Sequence, residues 1–89
     1  MIRRDIEIVN KLGLHARAAA KFVTCASGFA SQVQVLRDSR RVNGKSIMGV
    51  MMLAASQGSQ ITLEISGEDE AAASDALEKL IATRFGEPE

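Results

Sequence analysis

The chain has 89 residues, of which 46% are hydrophobic and 25% charged, and its eleven Lys and Arg balance eleven Asp and Glu. That composition belongs to a folded globular protein, and a zero formal charge with no Trp, no Tyr and three Phe removes both the field and the stacking platforms that nucleic-acid binders use. Cys25 stands alone, so an internal disulfide or a cysteine metal site is excluded, no metal or cofactor is expected, and a reducing compartment is the default.

From Ile2 to Val9, the apolar Ile2, Ile6 and Ile8 share one parity and the charged Arg3, Asp5 and Glu7 the other. This period of two predicts a strand with one wet face, and its alternation at the N-terminus replaces the apolar core of a signal peptide. Asn10 to Leu14 reads as a loop, followed by a helix to about Ser27 whose buried stripe is Ala19, Phe22, Val23 and Ala26, with Gly28 as the C′ residue. A second strand spans Gln32 to Arg37 with Val33 and Val35 inward, and Asp38-Ser39 turns into a third, Arg40 to Val42. Its two arginines read as a solvated edge that discourages further pairing.

Asn43-Gly44 ends that strand, and Ser46 stands where an N-cap belongs, before the short apolar helix Ile47 to Leu53. Ile61, Leu63 and Ile65 alternate in a fourth strand. Glu68, Asp69 and Glu70 then suit the positive end of a last helix that runs to about Arg84 and buries Ala73, Leu77, Leu80, Ile81 and the Arg84 stem. Gly86-Glu87-Pro88-Glu89 reads as a frayed tail. No stretch approaches the roughly 18 apolar residues of a spanning helix. The expectation is one cytoplasmic domain over residues 1–89, without membrane insertion. Its class is α+β: an open-faced β-sandwich in the order β-α-β-β-α-β-α, with a four-stranded antiparallel sheet covered on one face by three helices.

Within that frame the only histidine, His15, sits at the start of the first helix. A helix N-terminus offers unpaired N–H groups and a partial positive charge, so the backbone of Ala16 and Arg17 forms a ready cradle for an anion carried by the imidazole. At neutral pH an imidazole is mostly uncharged and has a free lone pair. Arg17, a cation placed against the helix dipole, suits an anion nearby. Four apolar side chains, Ile47, Met48, Met51 and Met52, exceed what so short a helix can hide. Val50, Leu53 and one Met are assigned to the core and the remainder to a docking surface, with complete core packing as the alternative. Cys25 reads as a small buried hydrophobe.

Two segments, Gly13-Leu14-His15-Ala16-Arg17 and Asn43-Gly44-Lys45-Ser46-Ile47-Met48-Gly49, resemble those of the histidine-containing phosphocarrier proteins (HPr) of the bacterial phosphotransferase system. The resemblance implies a monomeric phosphocarrier, not a stand-alone enzyme, that takes a phosphoryl group from phosphoenolpyruvate-driven Enzyme I onto Nδ1 of His15 and passes it to EIIA-type proteins. It also implies Arg17 as the anion partner and Ser46 as a target of an HPr serine kinase/phosphorylase. Ala18 departs from the proline usual in the family, which leaves sugar transport and a regulatory branch both open. The alternatives are a binding module whose phosphorylation state controls other proteins and, on fold analogy alone, a small-molecule sensor.

Overall fold

In the computed structural model, which describes residues 1–89, the chain runs β1 (Ile2–Glu7), α1 (Ala16–Ser27), β2 (Gln32–Arg37), β3 (Arg40–Asn43), α2 (Ile47–Met52), β4 (Gln60–Ser66) and α3 (Glu70–Ala82), followed by a left-handed turn over Arg84–Gly86. The four strands form one antiparallel sheet in the order β1-β4-β2-β3. β1 ends at Glu7, short of the expected Val9, because Ile8 turns its N–H and C=O to Ser59 and Gly58, just before the start of β4. Ile8 still enters the core.

The period of two decides which face is dry. Val33 and Val35 from β2 and Ile61, Leu63 and Ile65 from β4 point beneath the helices, where they meet Phe22, Ala26, Val50, Leu53, Leu77 and Ile81 in one cluster. A fully buried Phe such as Phe22 contributes about 2–3 kcal/mol by leaving water. The other face carries charge. Glu64 in β4 accepts hydrogen bonds from Arg3 in β1 and from Arg41 in β3, the latter at 2.6 Å. The hydrogen bond from Arg41, reinforced by its charge and by Arg3, outweighs desolvation and lowers the Glu64 pKa. Arg40 donates to the Met52 carbonyl, so the pair on edge strand β3 is engaged and not merely solvated.

Several packing details differ from the sequence expectation. Val23 and Cys25 are half-buried, and the fourth fully buried position on α1 is Ala18. Gly28 is the C-cap itself, with φ −74°, so no left-handed residue closes α1. In α2 the inward positions are taken by Val50 and then Leu53. No methionine enters the core, since a six-residue helix has no third turn to turn inward. At the far end, α3 stops at Ala82 and Arg84 is exposed. Phe85 is buried in the place expected for the Arg84 stem.

Candidate functional site

The loop before α1 is set by Gly13. Its φ of +66° is disfavoured for any residue with a Cβ, and a Cβ there would stand 2.4 Å from the Ala55 carbonyl oxygen. The loop therefore lies flush against the segment after α2, and the Leu14 N–H donates to that same carbonyl at 2.9 Å. Leu14 is buried, so the next residue is delivered to the helix start. His15 is the N-cap of α1, with extended backbone at φ −71° and ψ 177°.

Nδ1 of His15 accepts the Arg17 N–H at 3.3 Å. A backbone N–H can only donate, so Nδ1 holds the lone pair and the proton of the neutral ring is on Nε2. Nε2 donates in turn to the Glu87 carboxylate. Ala19 is the first residue of α1 whose N–H returns to a carbonyl across the turn, that of His15. The amides of Ala16 and Arg17 thus belong to the open positive end of the helix.

Glu87 lies in the segment expected to be frayed, and the structure corrects that expectation. Arg84, Phe85 and Gly86 have φ of 59°, 55° and 77°, a left-handed run that reverses the chain. Two contacts hold the reversal: the buried ring of Phe85, and Lys21 Nζ donating to the Phe85 carbonyl at 2.6 Å. The last residues then lie along the loop, with the Lys11 N–H on the Glu89 carbonyl at 2.7 Å and Lys11 Nζ 3.2 Å from its side chain. Buried Asn10 ties the halves together by donating through Nδ2 to the Gly13 carbonyl at 2.9 Å and to Glu87 Oε1 at 3.0 Å.

The Glu87 side chain is only 11% exposed and that of His15 28%. Burial pushes the Glu87 carboxyl up, but hydrogen bonds from Asn10 and His15, with the charge of Lys21, outweigh it and hold the group below the usual range. Between tail and loop a cleft of about 580 Å³ is lined by Lys11, Leu12, His15, Arg17, Glu87 and Pro88 among others. Arg17 enters none of the molecule's ion pairs, so its guanidinium has no carboxylate to satisfy.

Ser46 caps α2, its Oγ accepting the Gly49 N–H at 3.1 Å. Ile47, Met48, Met51 and Met52 are all exposed, Met48 at 69%, and Leu12 in the loop is exposed as well. The structure thus brings Arg17 to the His15 cleft and leaves Ser46 at the head of a separate, apolar helix. Sequence reasoning missed Asn10, Phe85 and Glu87. The spacing of Leu77, Ile81 and Phe85 was the one available signal, four residues at each step and leading past the last helix into the core.

An open-faced sandwich that sets a single histidine, its Nδ1 unprotonated, at the N-terminus of a helix has the architecture of a small histidine phosphoryl carrier. Residues 2–83 match the family model described as "PTS HPr component phosphorylation site". The phosphocarrier protein HPr of Cupriavidus necator is 61% identical over 89 residues, all of both chains. The crystal structure of HPr-C-His from Thermoanaerobacter tengcongensis superposes with a TM-score of 0.96 at 52% identity, covering 100% of each chain. A crystal structure of an HPr dimer from the same organism, 53% identical, covers 98% of this chain and 100% of that one with a TM-score of 0.79. The chain belongs to the HPr family, the phosphocarriers of the phosphotransferase system. Phosphohistidine chemistry and a role in sugar transport are properties of that family.

Proposed function

We propose that this chain, acting as a cytoplasmic monomer and one HPr-like domain, accepts a phosphoryl group from Enzyme I on Nδ1 of His15 and delivers it to EIIA-type proteins. The observation that carries this reading is the orientation of the ring: Nδ1 keeps its lone pair and faces the amides at the head of α1. When Nδ1 attacks phosphorus, its lone pair forms the N–P bond, and the bond to the donor breaks with its electron pair leaving on the donor. The proton on Nε2 stays in place. The phosphoryl oxygens then meet the Ala16 and Arg17 N–H groups and the unpaired Arg17 guanidinium, a set of donors that favours a dianion. Phosphoryl transfer depends mainly on placement and charge, so an exposed nucleophile is sufficient and the partner enzyme can supply the rest.

Leu12, Ile47, Met48, Met51 and Met52 make the surface that partners cover, since exposed methionine adapts to several partner shapes. Ser46 regulates this docking as a substrate of an HPr serine kinase/phosphorylase. A phosphate at a helix N-terminus is tolerated by the fold, while its charge repels an acidic partner face. The test is incubation with phosphoenolpyruvate and Enzyme I. A phosphate that is acid-labile and alkali-stable on the wild type, and missing from His15→Ala, supports the reading. An unlabelled wild type overturns it.

A further inference from the structure

The ring of His15 is gripped on both nitrogens, and only one of the two grips is explained by the helix that it caps. The Arg17 N–H on Nδ1 is a local consequence of capping. The Glu87 carboxylate on Nε2 comes from 72 residues away and is in place because three consecutive residues, two of them not glycine, hold left-handed backbone. Left-handed backbone at Arg84 and Phe85 is strained and persists only where the surroundings enforce it. Phe85 and Lys21 enforce it here, and buried Asn10 fixes the second oxygen of the carboxylate. Together these contacts aim one carboxylate at one ring nitrogen.

We propose that Glu87 is a positioning residue for His15: its carboxylate keeps the ring proton on Nε2, leaves the Nδ1 lone pair as the nucleophile, and offsets the positive charge that the ring gains as the N–P bond forms. This role rests on the phosphoryl-carrier reading above. In the phosphorylated state the ring holds the phosphoryl group on Nδ1 and the proton on Nε2. That cationic ring is the better leaving group, so a carboxylate against Nε2 keeps the phosphoryl group transferable to higher pH. Other charged groups face the pair from their own elements: Lys21 and Arg17 from α1, Lys11 from the loop, and Glu89 from the tail. Of the two tail carboxylates, Glu87 is the one bonded to the ring, and Glu89 pairs with Lys11 instead.

The test phosphorylates wild type, Glu87→Gln, Glu87→Ala and Asp75→Asn with phosphoenolpyruvate and Enzyme I, then follows loss of the phosphoryl group by phosphorus NMR as a function of pH. Asp75→Asn removes one charge from an exposed site on α3 and serves as the charge-matched control. Glu87→Gln keeps the size but offers one acceptor to the two donors Asn10 Nδ2 and His15 Nε2, so the amide spectrum verifies that the tail stays docked before the profile is read as an effect of charge. The hydrolysis profile of both Glu87 variants is expected to move to lower pH by about one unit, as an opposite charge this close dictates. Acceptance from Enzyme I is expected to slow about tenfold. Asp75→Asn matches wild type. Normal labelling with superimposable profiles for wild type and Glu87→Gln overturns the role of Glu87 alone, whereas an unlabelled wild type overturns the carrier reading and this role with it.

Discussion

Asp69 binds Ser31 across 38 residues of sequence, its carboxylate accepting both the backbone N–H, at 2.9 Å, and the hydroxyl. The second oxygen takes the Ala30 N–H at 2.8 Å, so the residue at the head of α3 closes the turn that leads into β2. The Asp69 side chain makes no capping bond to its own helix. It is used to staple two distant segments.

That staple predicts an acid-sensitive fold. The Ser31 hydroxyl, followed by the Ala30 and Ser31 amides, outweighs desolvation and lowers the Asp69 pKa. A depressed folded value contributes stability that is present above the unfolded aspartate value near 4 and lost as pH falls through the folded one. Asp69→Ala is expected to melt roughly 5–10 °C below wild type at neutral pH. Thermal melts in a pH series check this, and the gap should narrow below about pH 4.

Gly13→Ala tests the loop that delivers the histidine. The new Cβ meets the Ala55 carbonyl at 2.4 Å with φ at +66°, and neither backbone can move without disturbing Leu14. A loss of about 2–3 kcal/mol in urea titration is expected. Phosphoryl acceptance should fall along with it, since the N-cap is displaced.

Phe85→Ala removes a ring from the core at the point where the chain reverses toward His15. Cavity formation in a phenylalanine site costs about 3–5 kcal/mol, a large part of the stability of so small a protein. Denaturant unfolding measures the loss. If the tail were loosely attached, as its polar composition suggests, the variant would match wild type.

Arg17→Lys and Arg17→Ala separate charge from geometry. A guanidinium without an ion-pair partner is available to grip phosphoryl oxygens in two-point fashion, and an ammonium supplies charge alone. Transfer from Enzyme I is expected to fall by about tenfold for Arg17→Ala, with Arg17→Lys intermediate. Fold stability should change by no more than about 0.5 kcal/mol, the usual scale for an exposed residue. Equal transfer rates in all three proteins would remove Arg17 from the site.

Ser46 has two jobs to tell apart. Ser46→Ala forfeits the bond to the Gly49 N–H and is expected to cost about 1 kcal/mol in denaturant unfolding. Ser46→Asp restores an N-cap and adds charge, so it should recover that stability while weakening binding to partner proteins. Calorimetric titration with Enzyme I reads the second effect.

What could be read in advance was local. The parity of Ile61, Leu63 and Ile65 declares a strand, Ser46 before an apolar run declares a cap, and a glycine loop before an alanine-rich stretch places His15 at a helix start. Each signal lies within a few residues of its effect. Glu87 and Asp69 escaped because their partners lie 72 and 38 residues away, and nothing in Gly-Glu-Pro-Glu distinguishes a docked tail from a loose one. The exposure of all three methionines in α2 depended on how long that helix would be, and helix length is poorly marked in a stretch whose ending is a turn at Ala54 with φ 51°.

The strand order β1-β4-β2-β3 also bears on how the molecule comes into being. Ile2 takes its sheet partner from Ile65, and no shorter-range neighbour is available to β1 on either side. During synthesis β1 must therefore wait for its sheet partner until β4 has left the ribosome. Its charged residues Arg3, Arg4 and Asp5 are well suited to that interval, because a waiting strand rich in charge resists pairing with its neighbours on the same polysome. Docking of β1 therefore closes a long loop, whereas β2 and β3 pair across the short turn at Asp38-Ser39.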